Sequence, residues 1–376
     1  MKKQLVGRKP KSMIRIAFDG GSLPQLGNYH PTGVATITQG LIEELIRIEK
    51  RNNLFIYTFG SAELNIPPKG NDRITWRRLP RQGFFSIGLP FYLGRDKPDV
   101  FLALSQAMPK ASIPTIGFVY DVGFLERPQD YTDAERLTTL TNDLVQRALH
   151  IVTISKASLH SISTHLHIPE DKLSYCHPGP RPLFKPDGPK YVGELPYFLF
   201  VGSLKRSKNV PLLLEGFFHF LKKGNPPHQL VLIGSQKQLD PDIRPTIKRF
   251  SLEKYVLIND YVSTEELPKY YRGAKVFVSL SHLEGFGLPV IESMACGTPV
   301  IVGHNSSMPE IVGKAGLFAS TTTPYEIADY FSRFALDESV RATQSRRVLK
   351  QARLFNNRDF ARKIRIIIDR EIRKQS

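Results

Sequence analysis

The sequence predicts an α/β protein made of two doubly wound domains, and three observations carry that prediction. The 376 residues exceed the roughly 250–300 at which a single hydrophobic core stops growing. Short runs rich in β-branched and aromatic residues alternate with amphipathic stretches along the whole chain, the pattern of βαβ units and parallel sheets. The segment Pro178-Gly179-Pro180-Arg181-Pro182-Leu183-Phe184-Lys185-Pro186-Asp187-Gly188-Pro189 can continue neither a helix nor a central strand, so it divides the chain. The expected organisation is a first domain over 12–187, a second over 188–355, and a terminal helix over 356–376 that packs back on the first.

In the first half the strands are expected at 14–18, 54–59, 74–79, 100–104, 115–120 and 151–154. Between the first two, Val34, Ile37, Leu41, Ile42, Leu45, Ile46 and Ile48 recur at helical spacing and predict a helix over 33–50; 131–149 reads the same way. The second half restarts the pattern with strands at 197–201, 230–233, 256–258, 276–280, 300–302 and 317–319. Helices are expected at 209–223, 241–252, 264–273, 288–295 and 323–336. Beyond Asp337 the chain reads as helix through Ile372, with apolar positions at Phe360, Ile364, Ile366, Ile367 and Ile368. The basic start over 1–11 has no following apolar stretch and reads as a loose tail. No apolar run approaches the roughly 18 residues of a membrane span, so a cytoplasmic chain is expected, reaching at most the inner face of the membrane.

A net charge of +17 calls for an anionic partner. No zinc-finger, RNP or helix-turn-helix signature accompanies the cations, so no specific nucleic acid is expected. The charge concentrates in two places: Arg77, Arg78 and Arg81 beside Trp76, Phe84 and Phe85, and the terminal helix with Arg362, Lys363, Arg365, Arg370, Arg373 and Lys374. The first mixes cations with aromatics, which suits an anionic membrane surface and equally a solvated basic face over a partly buried aromatic hairpin. The two cysteines, Cys176 and Cys296, lack a metal-binding spacing and fit a reducing compartment as small buried residues. His30, His177 and His282 form no metal pair by spacing.

The most informative stretch is Glu284-Gly285-Phe286-Gly287-Leu288-Pro289-Val290-Ile291-Glu292. It follows a buried strand, its glycines loosen a turn, and Pro289 sits where a helix accepts proline, in its first turn. Free amides at Gly287 and Leu288 then form a small anion site. Glu284 can accept hydrogen bonds from sugar hydroxyls and Glu292 from a vicinal diol such as a ribose, so together they describe a nucleotide sugar. A second candidate is Gly202-Ser203-Leu204-Lys205-Arg206-Ser207-Lys208-Asn209, a glycine turn with three cations at the end of a parallel strand, where open sheets bind anionic ligands. Lys208 near a helix start runs against the dipole preference for acids, which a bound anion would explain. Either element alone also serves as an ordinary strand-to-helix turn or basic surface loop.

Taken together these strings resemble the retaining glycosyltransferases of the GT4 family. The two glutamates match its E-x7-E motif, and Lys208 before Asn209 matches the lysine of its phosphate loop. The resemblance is strong over 198–316 and weaker but in order over 14–186. It implies the GT-B fold, two Rossmann-like domains facing each other across a cleft, with the donor mostly on the second. It further implies transfer of a sugar from a nucleotide-sugar co-substrate to an acceptor hydroxyl with retained configuration, without metal or other cofactor. The donor-binding set becomes Gly33, Ser203, Arg206, Lys208, Tyr261, Val262, Gly285, Phe286, Gly287, Leu288 and Glu292, with Glu284 and Asp121 as catalytic candidates. Ser203 stands where the family often has arginine, so Arg206 or Lys205 is left to supply the second cation. Tyr120 stands where it often has histidine, which leaves Asp121 as the polar group. Thr32 to Val34, after the glycine-containing loop that begins at Gly27, would face the diphosphate from the first domain, Asp260 to Ser263 the base, and His304 to Gly313 the far wall of the donor pocket. The string Gly-Ser-Leu-x-x-x-Lys-Asn resembles mannosyltransferase-like members, so GDP-mannose is the first donor expected and a UDP-sugar the second. The acceptor expected is a glycan or lipid-linked saccharide of cell-envelope polysaccharide synthesis. The rival readings are a nucleotide-sugar epimerase of the same fold, a phosphorylase, which length disfavours, and a non-catalytic basic protein that binds nucleic acid or a membrane surface.

Overall fold

The computed structural model describes residues 13–24, 32–60, 62, 64, 72–236 and 239–375. Two parallel sheets organise them. The first contains β1 (Arg15–Asp19), β2 (Asn53–Phe59), β3 (Ile74–Leu79), β4 (Val100–Ala103), β5 (Thr115–Phe118), β6 (His150–Thr153) and β7 (Leu173–Tyr175), in the order β3-β2-β1-β4-β5-β6-β7. The second contains β8 (Tyr197–Val201), β9 (Gln229–Ile233), β10 (Val256–Asn259), β11 (Phe277–Ser279), β12 (Val300–Gly303) and β13 (Leu317–Ala319), in the order β10-β9-β8-β11-β12-β13. β4, β5, β6 and β12 are buried along their whole length, as strands covered by helices on both faces must be.

In each sheet the chain order reverses beside the opening strand, between β1 and β4 and again between β8 and β11. Such switch points leave a crevice outside the carboxyl ends of the strands, which is where ligands bind in open α/β sheets. One apolar cluster connects the halves, running from Phe18 and Leu41 of the first to Phe286, Leu288 and Ile291 of the second and on to Phe355 and Phe360. The helix Glu338–Ala352 lies against Leu288–Ala295, and Asn357–Lys374 lies against Gly33–Ile48. Asn356 caps the last helix by accepting from the Asp359 amide at 2.8 Å, and Arg365 pairs with Glu49.

Three elements escape the sequence pattern. β7 is three residues long and carries no apolar run. The helix Lys156–Leu166 is rich in Ser, Thr and His, buries only Ser158 and Ile162, and begins because Ser155 accepts from the Ser158 amide at 2.9 Å. The expected aromatic hairpin around Phe84 and Phe85 is instead helical: a π turn over Phe84–Gly88, entered through Gly83 at φ +73°, runs directly into Leu89–Asp96. Cys176 and Cys296 are both buried thiols.

Candidate active site

The site is built where the loops after β8 and β11 meet. After β8 the chain makes a single 3-10 turn, Arg206–Lys208, closed by the Lys208 amide donating to the Lys205 carbonyl at 2.9 Å. Asn209 ends the turn at φ +56°, a conformation asparagine tolerates, and its side-chain amide donates to the Thr321 carbonyl at 3.0 Å. This fixes where Lys208 can reach. The loop after β11 is clipped to it, since the His282 amide donates to the Ser207 carbonyl at 2.9 Å.

Lys208 Nζ then sits 2.5 Å from Glu284 Oε1, and the Ser281 hydroxyl donates to the same oxygen at 2.8 Å. The Glu284 backbone is held by two further hydroxyls, from Ser306 and Ser307, which donate to its carbonyl at 2.6 and 2.9 Å. Ser306 and Ser307 belong to the 304–313 segment. Lys208 and Glu284 are both only 17% exposed, so their attraction is screened far less than that of a surface pair.

Asp121 reaches this cluster from the first sheet. A Cβ placed on Gly285 would lie 2.9 Å from Asp121 Oδ2, a close approach that a glycine permits. The Asp121 carboxylate accepts from the Gly123 amide at 3.0 Å. Burial raises its pKa above the ordinary carboxylate value; the Gly123 amide opposes this, nearby Glu284 adds to it, and Lys208 and Lys205 oppose it. Asp121, Glu284, Gly285, Ser158, His282 and Ser306 all line one cavity of about 410 Å³ between the two halves. Ser158 also donates across the cleft to the Gly285 carbonyl at 3.1 Å.

Of the two cations offered as partners of Lys208, Lys205 is the one turned inward. Its ammonium lies 4.8 Å from the centre of the Tyr131 ring, and burial, aided by Lys208, lowers its pKa. Arg206 is exposed and faces Asp242 at 3.9 Å, which separates it from the Lys208–Glu284 pair. An alternation of side chains across a tight turn decides this, and the composition of the loop does not reveal it. Ser203 is half-buried at the end of β8.

The helix Leu288–Ala295 starts from Gly287 at φ +91°, where the Met308 side chain packs close against the glycine. Phe286 is buried with its ring against His177 and Phe355, at centroid distances of 5.9 Å each. The N-terminus of Gly33–Ile48 comes up from the first sheet, capped by Thr32, whose hydroxyl accepts from the Ala35 amide at 3.1 Å. A Cβ on Gly33 would lie 3.6 Å from Leu288, so two helix N-termini with their free amides end side by side. Residues 27–31 of the preceding loop, His30 among them, lie outside the described residues.

Glu292 belongs to a different neighbourhood. It is 5% exposed, accepts from the Tyr271 hydroxyl at 3.3 Å and lies 3.8 Å from the Arg181 guanidinium. Arg181 comes from the segment expected only to link the halves, and it also donates to the Thr264 hydroxyl at 3.1 Å. Burial pushes the Glu292 carboxyl up to about 7, with Arg181 and Tyr271 opposing. Tyr261 and Val262 are half-buried in the loop after β10, just ahead of Thr264. The structure therefore gathers Asp121, Lys205, Lys208, Glu284 and Gly285 into one cluster and sets Glu292 with Arg181 into a second. Arg181, Ser158 and Ser281 are additions that the sequence did not point to, whereas Ser306 lies in the 304–313 segment expected at the far wall of the donor pocket. Lys205 was one of the two cations expected to stand beside Lys208, and the structure turns it, not Arg206, inward.

Residues 185–353 match the family model described as glycosyl transferases group 1. The match covers the second half of the chain, the part that carries Lys208, Glu284 and Glu292. The chain is similar to O-antigen chain mannosyltransferase B of Escherichia coli, at 33% identity over 160 residues, 43% of this chain and 42% of that protein. It is also similar to O-antigen chain mannosyltransferase RfbU of Salmonella typhimurium, at 25% identity over 202 residues, 54% of this chain and 55% of that one. The matches span about half the length of these relatives or less. Among solved structures, sucrose-phosphate synthase from Thermosynechococcus elongatus superposes with a TM-score of 0.74 at 19% identity, over 95% of this chain and 98% of that one. Anabaena HepE in complex with UDP and glucose gives 0.71 at 16% identity, over 95% and 99%. Likeness at these identities fixes the GT-B fold, two parallel α/β sheets across a cleft.

Proposed function

We propose that this chain is a group 1 glycosyltransferase that moves a sugar from a nucleotide-sugar donor to an acceptor hydroxyl with retention of configuration. The single observation that carries the reading is the convergence of Lys208, Glu284 and Asp121 at the second switch point, beside two helix N-termini. In this reading Lys208 and Lys205 meet the diphosphate, together with the amides of Gly33, Gly287 and Leu288. Gly285 and Phe286 shape the turn, and Ser203 lines the phosphate loop. Tyr261 and Val262 flank the base, and Glu292 takes the ribose diol in exchange for Arg181. Arg206 contributes charge from the rim.

The chemistry follows from that placement. The bond between the anomeric carbon and the phosphate oxygen breaks, charge grows on the leaving diphosphate, and Lys208 with the helix amides stabilises it where water is scarce. The acceptor oxygen bonds to the same face of the anomeric carbon, and its proton passes to the leaving phosphate oxygen. Glu284 holds sugar hydroxyls, and Asp121 faces the acceptor side. The similarity to two O-antigen mannosyltransferases favours mannose from GDP-mannose, with a UDP-sugar as the alternative that HepE bound to UDP suggests. The acceptor in this reading is a glycan or lipid-linked saccharide of the cell envelope, met on the cytoplasmic side of the membrane.

A donor panel tests it. The expected result is a rise in melting temperature with one nucleotide sugar, and mass-spectrometric detection of its sugar on an envelope-derived acceptor. Stabilisation by every polyanion alike, with no donor preference, rejects the transferase reading in favour of a basic binding protein.

A further inference from the structure

The continuous helical segment over 84–96 is amphipathic on its inner side and out of place on its outer side. Phe84, Leu89, Leu93 and Asp96 face inward and are buried. Ile87 and Phe91, one helical turn apart, are 72% and 63% exposed, and Arg95 continues the same face one turn later. Single exposed apolar residues need no explanation, but two large ones stacked on one turn form a patch that costs free energy in water.

Cations surround this patch. Arg78, Arg81, Arg95 and Lys97 are all exposed, and Lys110 joins them because its amide donates to the Phe85 carbonyl at 3.0 Å. Between Arg77 and Lys97 the only acid is Asp96, and it is buried and already engaged, accepting from Arg77 at 2.6 Å and from the Tyr57 hydroxyl at 3.0 Å. The face thus presents apolar tips within an uncompensated positive field. Its position matters as well: Phe84 packs on Phe59 at the end of β2 at 5.2 Å, and Lys110 lies in the loop after β4, so the start of the segment borders the carboxyl ends of the strands, the same side as the cleft, while its far end, where the Asp96 carbonyl accepts from Arg15, lies by the amino end of β1.

We propose that this face docks on an anionic lipid bilayer, with Ile87 and Phe91 entering the headgroup boundary and the surrounding arginines and lysines meeting the headgroups. The occupant is lipid because charge complementarity alone would suit any polyanion, whereas the apolar pair has no role on a nucleic acid phosphate backbone. The docking gives a lipid-linked acceptor a short path into the cleft, yet it stands on its own observations and its test uses no sugar substrate.

The experiment is co-sedimentation of the full chain with vesicles of phosphatidylcholine alone and of phosphatidylcholine mixed with phosphatidylglycerol. Binding is expected only to the anionic vesicles, weakening as salt rises. Removing both apolar tips with Ile87→Ser and Phe91→Ser is expected to lower that binding by about tenfold or more, as loss of two partly buried side chains from the bilayer requires. Arg78→Glu with Arg95→Glu is expected to lower it as well, and the melting temperature of each variant is expected to stay at the unmodified value. Equal binding to neutral vesicles, or full binding by the serine variant, overturns the proposal. So does loss of binding through Lys363→Glu with Arg373→Glu on the terminal helix instead. An equal fall in heparin affinity for the serine variant would make the face a general polyanion site, and the proposal would fail.

Discussion

The two switch points share a topology and differ in what fills them. At the first, β1 ends in Asp19, fully buried, with both carboxylate oxygens satisfied by the amides of Gly21 at 2.8 Å and Ser105 at 2.9 Å. Beside it the Tyr120 hydroxyl donates to the Leu104 carbonyl at 2.8 Å and lies 3.2 Å from the Thr38 hydroxyl, which in turn accepts from Ser22. Those groups spend their hydrogen bonds on one another. At the second, Glu284 lines a cavity that reaches to Asp121 across the cleft, with Lys208 paired to Glu284 and Lys205 set against the Tyr131 ring beside them. A closed polar network stiffens a fold; cations and a carboxylate left at an opening favour a ligand that supplies the missing charge. The comparison also explains Tyr120, which stands where the resemblance expects histidine: its side chain faces back into the first sheet, and Asp121 alone points on toward the second.

The largest effect should come from breaking the open side. Lys208→Ala or Glu284→Ala is expected to lower the rate of sugar transfer by about 100- to 1000-fold, the scale of losing one group that stabilises transition-state charge. Steady-state kinetics would show it, with thermal melts confirming that the fold persists; normal turnover in both variants would remove the site. Next comes Gly287→Ala, which places a side chain at φ +91° against Met308 and is expected to cost more than about 1 kcal/mol in chemical denaturation.

A smaller effect concerns pH. The folded Glu292 carboxyl holds its proton up to about 7, above the ordinary 4.5, so the folded chain binds a proton that the unfolded chain has released. Stability is therefore expected to fall as pH rises through that window. Glu292→Gln should remove most of this fall, on the order of 3 kcal/mol across the window, read from melts at several pH values; an unchanged pH dependence would show that Arg181 keeps the carboxylate ionised. The smallest effect is expected on the closed side, where Tyr120→Phe should cost about 1 kcal/mol of stability, one net hydrogen bond, and leave transfer nearly intact. A kinetic loss as large as that of the Glu284 variants would erase the contrast between the two switch points.

Much of this was legible in the sequence for reasons that can be stated. Strands buried on both faces must be apolar throughout, so runs such as Phe198-Leu199-Phe200-Val201 and Val276-Phe277-Val278 announce themselves. Gly287 and Pro289 were readable because a strand-to-helix turn constrains residue type at fixed offsets, and Glu284 and Lys208 because their strings resemble the E-x7-E motif and phosphate loop of GT4 enzymes. The helix Lys156–Leu166 was not, since its composition favours caps and turns and tertiary packing holds it. The choice of Lys205 over Arg206 was hidden for a similar reason, because one residue of rotation in a tight turn decides which cation faces the cleft.

The sequence by itself determined the α/β class, the order of strands and helices and the loops that bear charge, because backbone propensity and hydrophobic period are local properties. Only the tertiary structure decided that Asp121 meets Gly285, that Arg181 reaches Glu292, and that Ile87 and Phe91 are left in solvent. Those outcomes depend on how the two sheets approach each other and on which side of a helix finds a partner, and no local pattern encodes either.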